Sequence, residues 1–175
     1  VPKYSEERPF SISPSSWNTY LTCPRKFWLS RRRLPRKAGM AASVGTAVHG
    51  ALEDILLLDI SEKSDPETGW MPTVLERLLK SQWEEEKRRF FSHPRQPKWK
   101  EEQWDKAITL LNGSVAIVVK RAGLPPTEPE KIDVATWKWI QSLMGAVEGE
   151  LRTSDGKIMG RMDTMMYEID STGSV

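Results

Sequence analysis

The sequence predicts a mixed α/β domain in which helices pack on a small central sheet. Apolar residues recur at three- and four-residue spacing through most of the first 145 positions, the mark of helices with one buried stripe. The pattern then changes, and Ser154-Asp155-Gly156 separates two extended segments in the manner of a β-hairpin. At 175 residues and 38% hydrophobic content, the chain is long enough for one core and too short for two ordinary domains. The expected organisation is therefore a single domain over 1–175, with 1–145 mainly helical and 146–175 the start of the core sheet.

Each element has its own signal. Ser13 before Pro14 reads as a helix cap and first helical position, after which Trp17, Tyr20 and Leu21 fall on one side. Pro24 kinks or restarts that helix. A second helix begins near Ser43 and ends near Asp59, with Val44, Val48, Ala51, Leu52, Ile55 and Leu56 inward. Pro72 opens a third, with Val74, Leu75, Leu78, Leu79 and Trp83 inward and the charged run Glu84-Glu85-Glu86-Lys87-Arg88-Arg89 at its wet end. Pro94 and Pro97 make residues 92–100 a loop. Trp104, Ile108, Leu111, Val115 and Val118 mark a fourth helix, closed by Gly123, Pro125 and Pro126. A short helical turn falls around residues 136–143. Residues 146–152 and 157–169 are the two strands, and Ser171-Thr172-Gly173 signals a turn into a third strand that the chain would leave unfinished at Val175. A piece of a larger domain is the expectation.

Composition excludes some classes of function. The mean hydropathy is −0.52, and the longest aliphatic run, residues 115–119, falls far short of the roughly 20 residues that span a bilayer. The single cysteine, Cys23, forms no internal disulfide and cannot alone hold zinc or an iron–sulfur cluster. With no readable secretion signal, a reducing, cytoplasmic setting is expected. The 26 basic and 24 acidic residues leave a net charge of +2, too little for strong attraction of the whole molecule to nucleic acid. The distribution is uneven, however. Residues 25–37 hold seven basic side chains, Arg25, Lys26, Arg31, Arg32, Arg33, Arg36 and Lys37, and no acid. Such a run either neutralises phosphates along a strand or is a solvated face.

Three features carry chemistry. His49 lies among Gly45, Thr46 and Gly50, small residues that leave room for a ligand or metal; a structural histidine is the other reading. Asp163 follows Gly160, and a glycine within a strand often marks a bulge or a close approach. On alternation Asp163 shares a largely apolar face with Arg161, Met165 and Tyr167, where an acid is either paired, for instance with Arg161, or metal-bound. Glu148 and Glu150 share a face of the preceding strand and could join it around a hard divalent ion. The eight tryptophans are core residues by default. Trp17, Tyr20, Phe27 and Trp28, interleaved with Arg25 and Lys26, are either core as well or a surface for stacking on unpaired bases.

The segment Ser13-Pro14-Ser15-Ser16-Trp17-Asn18-Thr19-Tyr20-Leu21-Thr22-Cys23-Pro24-Arg25-Lys26-Phe27-Trp28 resembles the opening motif of the RecB-type nucleases of the PD-(D/E)xK superfamily. Gly45-Thr46-Ala47-Val48-His49-Gly50 is similar to their Gly-x-x-x-His motif, Val147-Glu148-Gly149-Glu150-Leu151 to their first core strand, and Gly160-Arg161-Met162-Asp163 to their Gly-x-x-Asp strand. The resemblance implies a restriction-endonuclease-like core and a metal-dependent DNA nuclease, an exonuclease of recombination, repair or foreign-DNA processing. It further implies His49 and Asp163 as ligands of Mg²⁺ or Mn²⁺, Glu148 as a supporting acid, Arg161 among the DNA contacts, and DNA and a helicase as partners. Cys23 resembles the first of four cysteines that bind a [4Fe–4S] cluster in AddB and the CRISPR adaptation nucleases, where the other three lie toward the C-terminus; a packed thiol is the alternative. The family's acid-x-lysine strand would begin at about Val175, and Asp155-Gly156-Lys157 has that spacing but lies in the hairpin turn. As it stands the chain is expected to be catalytically incomplete. The competing class is a nuclease-like module that binds DNA or scaffolds without cutting.

Overall fold

A computed structural model gives the fold and describes residues 11–32, 39–60, 69–93 and 98–167. Among them are six α-helices and one β-hairpin, a mixed α/β structure as the periodicity predicts. In order these are α1 (Pro14–Thr22), α2 (Pro24–Ser30), α3 (Met40–Leu57), α4 (Trp70–Ser92), α5 (Trp104–Arg121) and α6 (Val134–Ser142), then β1 (Met144–Arg152) and β2 (Met159–Met166). Backbone contacts group residues 11–32 and 148–164 in one compact unit, and the described residues from 39 to 147 with 165–167 in another.

In the first unit, Ser13 caps α1 by accepting the Ser16 N–H at 3.2 Å. Cys23 ends α1 and begins α2 in an extended conformation, so Pro24 restarts the helix rather than kinking it. Neither helix buries a residue. Beside them the hairpin turns at Thr153, whose carbonyl accepts the Gly156 N–H at 2.8 Å, and Gly156 takes φ 67°, which favours glycine. Ile12 joins the hairpin near its turn through a parallel bridge to Ile158.

The second unit holds the core. There α3 packs mainly on α4 and also on α5. The α3 stripe of Val44, Ala47, Val48, Ala51, Ile55 and Leu56 meets Leu75, Leu79 and Trp83 of α4 and Leu111, Val115 and Val119 of α5. Helix α3 starts three residues before the expected Ser43, because Gly39 is the extended residue at its start and Met40-Ala41-Ala42 favour helix. Helix α4 likewise starts at Trp70, behind Gly69 at φ 100°. Pro72 lies in its first turn, where its missing N–H goes unused.

One member of the expected wet end of α4 is buried. Glu86, three residues after Trp83 and four before Phe90, continues their inward stripe and is 8% exposed. Its carboxylate accepts Arg89 Nη1 at 3.0 Å, which offsets the burial of the charge. The short turn expected at 136–143 is a nine-residue helix, α6. Its Gln141 Nε2 donates to the carbonyls of Ile55, Leu56 and Leu58 at 3.3, 3.1 and 2.9 Å, satisfying the open end of α3.

Asp133 caps α6, its Oδ1 accepting the Thr136 N–H at 2.6 Å. That backbone hydrogen bond, the largest cause, and the Thr136 side chain hold its carboxyl below the usual carboxylate range. A folded pKa below the unfolded one stabilises above the unfolded value and is lost as pH falls through the folded one. Asp133→Ala is therefore expected to lower stability by about 1 kcal/mol at pH 7. Urea unfolding at pH 7 and pH 3 checks this, with the gap between variant and parent shrinking at the lower pH.

Candidate functional site

His49 belongs to the second unit, on the outer face of α3 with Ala42, Gly45 and Thr46, while Val44, Ala47, Val48 and Ala51 point inward. It is exposed, so its place is not that of a core histidine. The small residues around it differ in what they leave open. A Cβ built at Gly45 meets nothing within 4 Å, whereas one at Gly50 would come within 2.7 Å of Gln82 Oε1. Gly50 therefore makes room for Gln82, which crosses it to donate to Asp54 Oδ2 at 2.7 Å.

Asp163 belongs to the first unit, on β2. Arg161, Asp163, Met165 and Tyr167 lie on one face as alternation predicts, but that face is exposed, and Gly160, Met162, Thr164 and Met166 form the half-buried one. The expected desolvation of Asp163 on an apolar face is thus corrected. Solvent reaches it, and burial does not force a metal or partner on it. Gly160 has open space where a Cβ would stand, so among the described residues none makes the close approach that its position suggested.

On β1, Glu150 forms an ion pair with Arg152. This hydrogen bond above all, with the Arg161 charge contributing least, holds the Glu150 carboxyl below its ordinary value and Arg152 above its own. Glu150 is thereby held ionised by neighbouring guanidinium groups. Glu148 lies on β1 and Asp163 on β2, the two paired strands of the hairpin.

The acid-x-lysine spacing at Asp155 and Lys157 builds the turn. Asp155 Oδ1 accepts Thr153 Oγ1 at 2.6 Å and the Lys157 N–H at 3.1 Å, while Lys157 Nζ sits 3.5 Å from Oδ2. These hydrogen bonds lower the Asp155 pKa, the Thr153 hydroxyl being the largest cause. Cys23 Sγ accepts the Lys26 N–H at 3.4 Å at the start of α2, and the thiol is half-buried. As the chain's one cysteine it supplies a single thiolate, so the residues present do not fit an iron–sulfur cluster.

Of the basic run, Arg25, Lys26 and Arg32 are exposed and Arg31 is half-buried. Arg31 donates to the Ser11 carbonyl at 3.3 Å and lies 5.0 Å from the Phe27 ring centre. Arg32 lies 3.7 Å over the Trp28 ring. Arg33, Arg36 and Lys37 fall outside the described residues, as does the expected third strand. The default placing of tryptophans in the core holds for Trp83, Trp99 and Trp137 and fails for Trp17, Trp28 and Trp139, which are 48%, 51% and 37% exposed.

His49 and Asp163 offer donors that suit Mg²⁺ or Mn²⁺ in kind. Among the described residues, however, no three His, Cys, Asp or Glu side chains come together as a donor set. The described residues alone do not fit a closed metal site. No helix among them is long and apolar enough to cross a membrane.

Compared with families of known proteins, residues 11–168 match the PD-(D/E)XK nuclease superfamily, a stretch that begins just before α1 and runs past the end of β2. No curated protein and no solved structure matches the chain.

Proposed function

Because the chain belongs to the PD-(D/E)XK nuclease superfamily, whose members generally use divalent metals such as Mg²⁺, we propose that it is a metal-dependent DNA nuclease, an exonuclease of recombination, repair or foreign-DNA processing. The observation that carries this reading is the family match across residues 11–168, which takes in both His49 and Asp163. In the proposal these two are ligands of Mg²⁺ or Mn²⁺ and Glu148 is a supporting acid. Arg25, Lys26, Arg31, Arg32, Arg33, Arg36, Lys37 and Arg161 are the candidate phosphate contacts. Exposure of both His49 and Asp163 supports it, since a group that acts on a polymer must be reachable from solvent. A RecB-type lineage, a single domain over 1–175, a reducing cytoplasmic setting and a helicase partner belong to the same proposal and rest on the sequence reading alone.

That no three His, Cys, Asp or Glu side chains come together among the described residues favours a second reading, a nuclease-like module that binds DNA without cutting it. An assay of end-labelled linear DNA with the protein purified from its own coding sequence separates the two. Loss of label with Mg²⁺ or Mn²⁺, and none in EDTA, is the expected result. DNA that is retained but never cut with either ion would put the binding module in its place.

A further inference from the structure

Helices α1 and α2 expose a run of large apolar side chains. Trp17, Tyr20, Leu21, Trp28 and Leu29 are 48%, 42%, 62%, 51% and 37% exposed, and neither helix buries any residue to explain them. Single exposed apolar residues are ordinary on a surface, but several of them on two short helices, with Trp17 touching Tyr20 and Tyr20 touching Phe27, mark a place where something binds.

Two further observations identify what binds. The first is geometry. The Trp17 and Tyr20 rings stack with centres 5.6 Å apart and planes 24° from parallel, and Tyr20 meets Phe27 edge-on at 5.5 Å, which fixes the pair. A braced, stacked pair of rings that is about half exposed suits another flat ring. The second is charge. Residues 11–32 contain no acid, and Arg25 and Lys26 are exposed in the same segment as these aromatics. The Arg32 guanidinium already lies 3.7 Å over Trp28, so a cation and an aromatic ring of α2 are paired in the same segment. A purely apolar partner has no use for the cations, and a duplex hides its base faces inside the stack. A polyanion with free planar faces uses both.

We propose that α1 and α2 form a stacking platform for single-stranded nucleic acid, with Trp17, Tyr20 and Trp28 taking unpaired bases and Arg25 and Lys26 neutralising the phosphates between them. For its place in a reaction this rests on the nuclease reading, which it narrows to substrates with an unpaired strand. Binding itself can be measured without cleavage.

The test is fluorescence anisotropy of labelled oligo(dT), in EDTA, with the full protein and its variants. Trp17→Ala and Trp28→Ala are each expected to weaken binding by roughly 5- to 100-fold, and Tyr20→Phe to leave it within about twofold, since a phenyl ring still stacks. A duplex of equal length is expected to bind the aromatic variants as it binds the parent. Arg25→Ala with Lys26→Ala is expected to reduce the slope of log affinity against log salt by about 1.4, and the aromatic variants to leave that slope unchanged. Thermal melting of each variant checks the fold, and Trp17→Leu, which keeps apolar volume but has no π face, replaces Trp17→Ala if the latter melts early. Oligo(dT) binding within twofold of the parent by both tryptophan variants, or equal losses on duplex and single strand, would overturn the proposal. Cleavage by the parent together with unaltered binding by the variants sinks the platform and leaves the nuclease; binding lost as expected, with no cleavage by the parent, does the reverse.

Discussion

Asp163→Asn is expected to slow divalent-metal-dependent DNA cleavage by about 10²- to 10³-fold, the usual loss when one group that holds charge at a reacting centre is removed. Melting temperature should hardly move. Asp163 is exposed on β2, and a surface change that keeps the side chain's shape alters stability by no more than about 0.5 kcal/mol. The pairing of these two readouts is what discriminates. If the carboxylate serves only its neighbours on the strand, removing its charge changes stability a little and cleavage not at all. His49→Ala is expected to behave alike, because His49 is on the outer face of α3 and no core packing is lost with it. Asp155→Asn is the control. Its carboxylate is occupied by Thr153 and the Lys157 N–H within the turn, so it should weaken the hairpin and leave cleavage unchanged. A loss of cleavage for Asp155→Asn equal to that for Asp163→Asn would shift the site to the turn.

The largest expected effect on stability is at Trp137. Its side chain is 0% exposed in the core of the second unit, and its Nε1 donates to the Ile55 carbonyl at 3.2 Å. Trp137→Ala removes the indole and leaves a cavity among residues that relax only partly, which costs about 3–5 kcal/mol. That is a large share of the roughly 5–15 kcal/mol by which domains of this size are stable. Trp137→Phe keeps most of the volume and loses the donor, but Gln141 Nε2 still donates to the Ile55 carbonyl at 3.3 Å, so no acceptor is orphaned. The expected order in urea is parent, then Phe, then Ala, with Ala well below the other two. Equal midpoints for Phe and Ala would mean that the hydrogen bond, rather than the packing, sets the effect.

Much of the fold was legible because its signals are local. Ser13-Pro14 and the Gly123 to Pro126 stretch carry their own backbone preferences, and α3, α4 and α5 repeat a helical stripe over many turns. The tips of α3 and α4 were less legible, since a glycine that starts a helix leaves no capping hydroxyl to read. Glu86 shows how residue type can mislead. It sits in a charged run, yet its position relative to Trp83 and Phe90 places it inward, so the spacing contained the answer and the charge obscured it. Trp17 and Trp28 mislead in the opposite way. Their helices have apolar positions at helical spacing but bury none of them, and sequence periodicity records the stripe without recording what covers it.

The same limit applies to the site. Motif spacing selects His49 and Asp163 and predicts which residues share a strand face with Asp163. Whether that face is wet or dry depends on packing far away in the sequence, and here the face with Asp163 is the wet one. The acid-x-lysine spacing at Asp155 was separable from a catalytic pair on sequence position alone, and the turn hydrogen bonds give the physical reason.

The most direct measurement is a titration of the protein with Mn²⁺, followed by electron paramagnetic resonance of the free ion. The proposed ligand roles predict one bound Mn²⁺ in the parent, and affinity lowered about tenfold or more, or about 1.4 kcal/mol, in both His49→Ala and Asp163→Asn. Binding of Mn²⁺ by both variants as tightly as by the parent would contradict them.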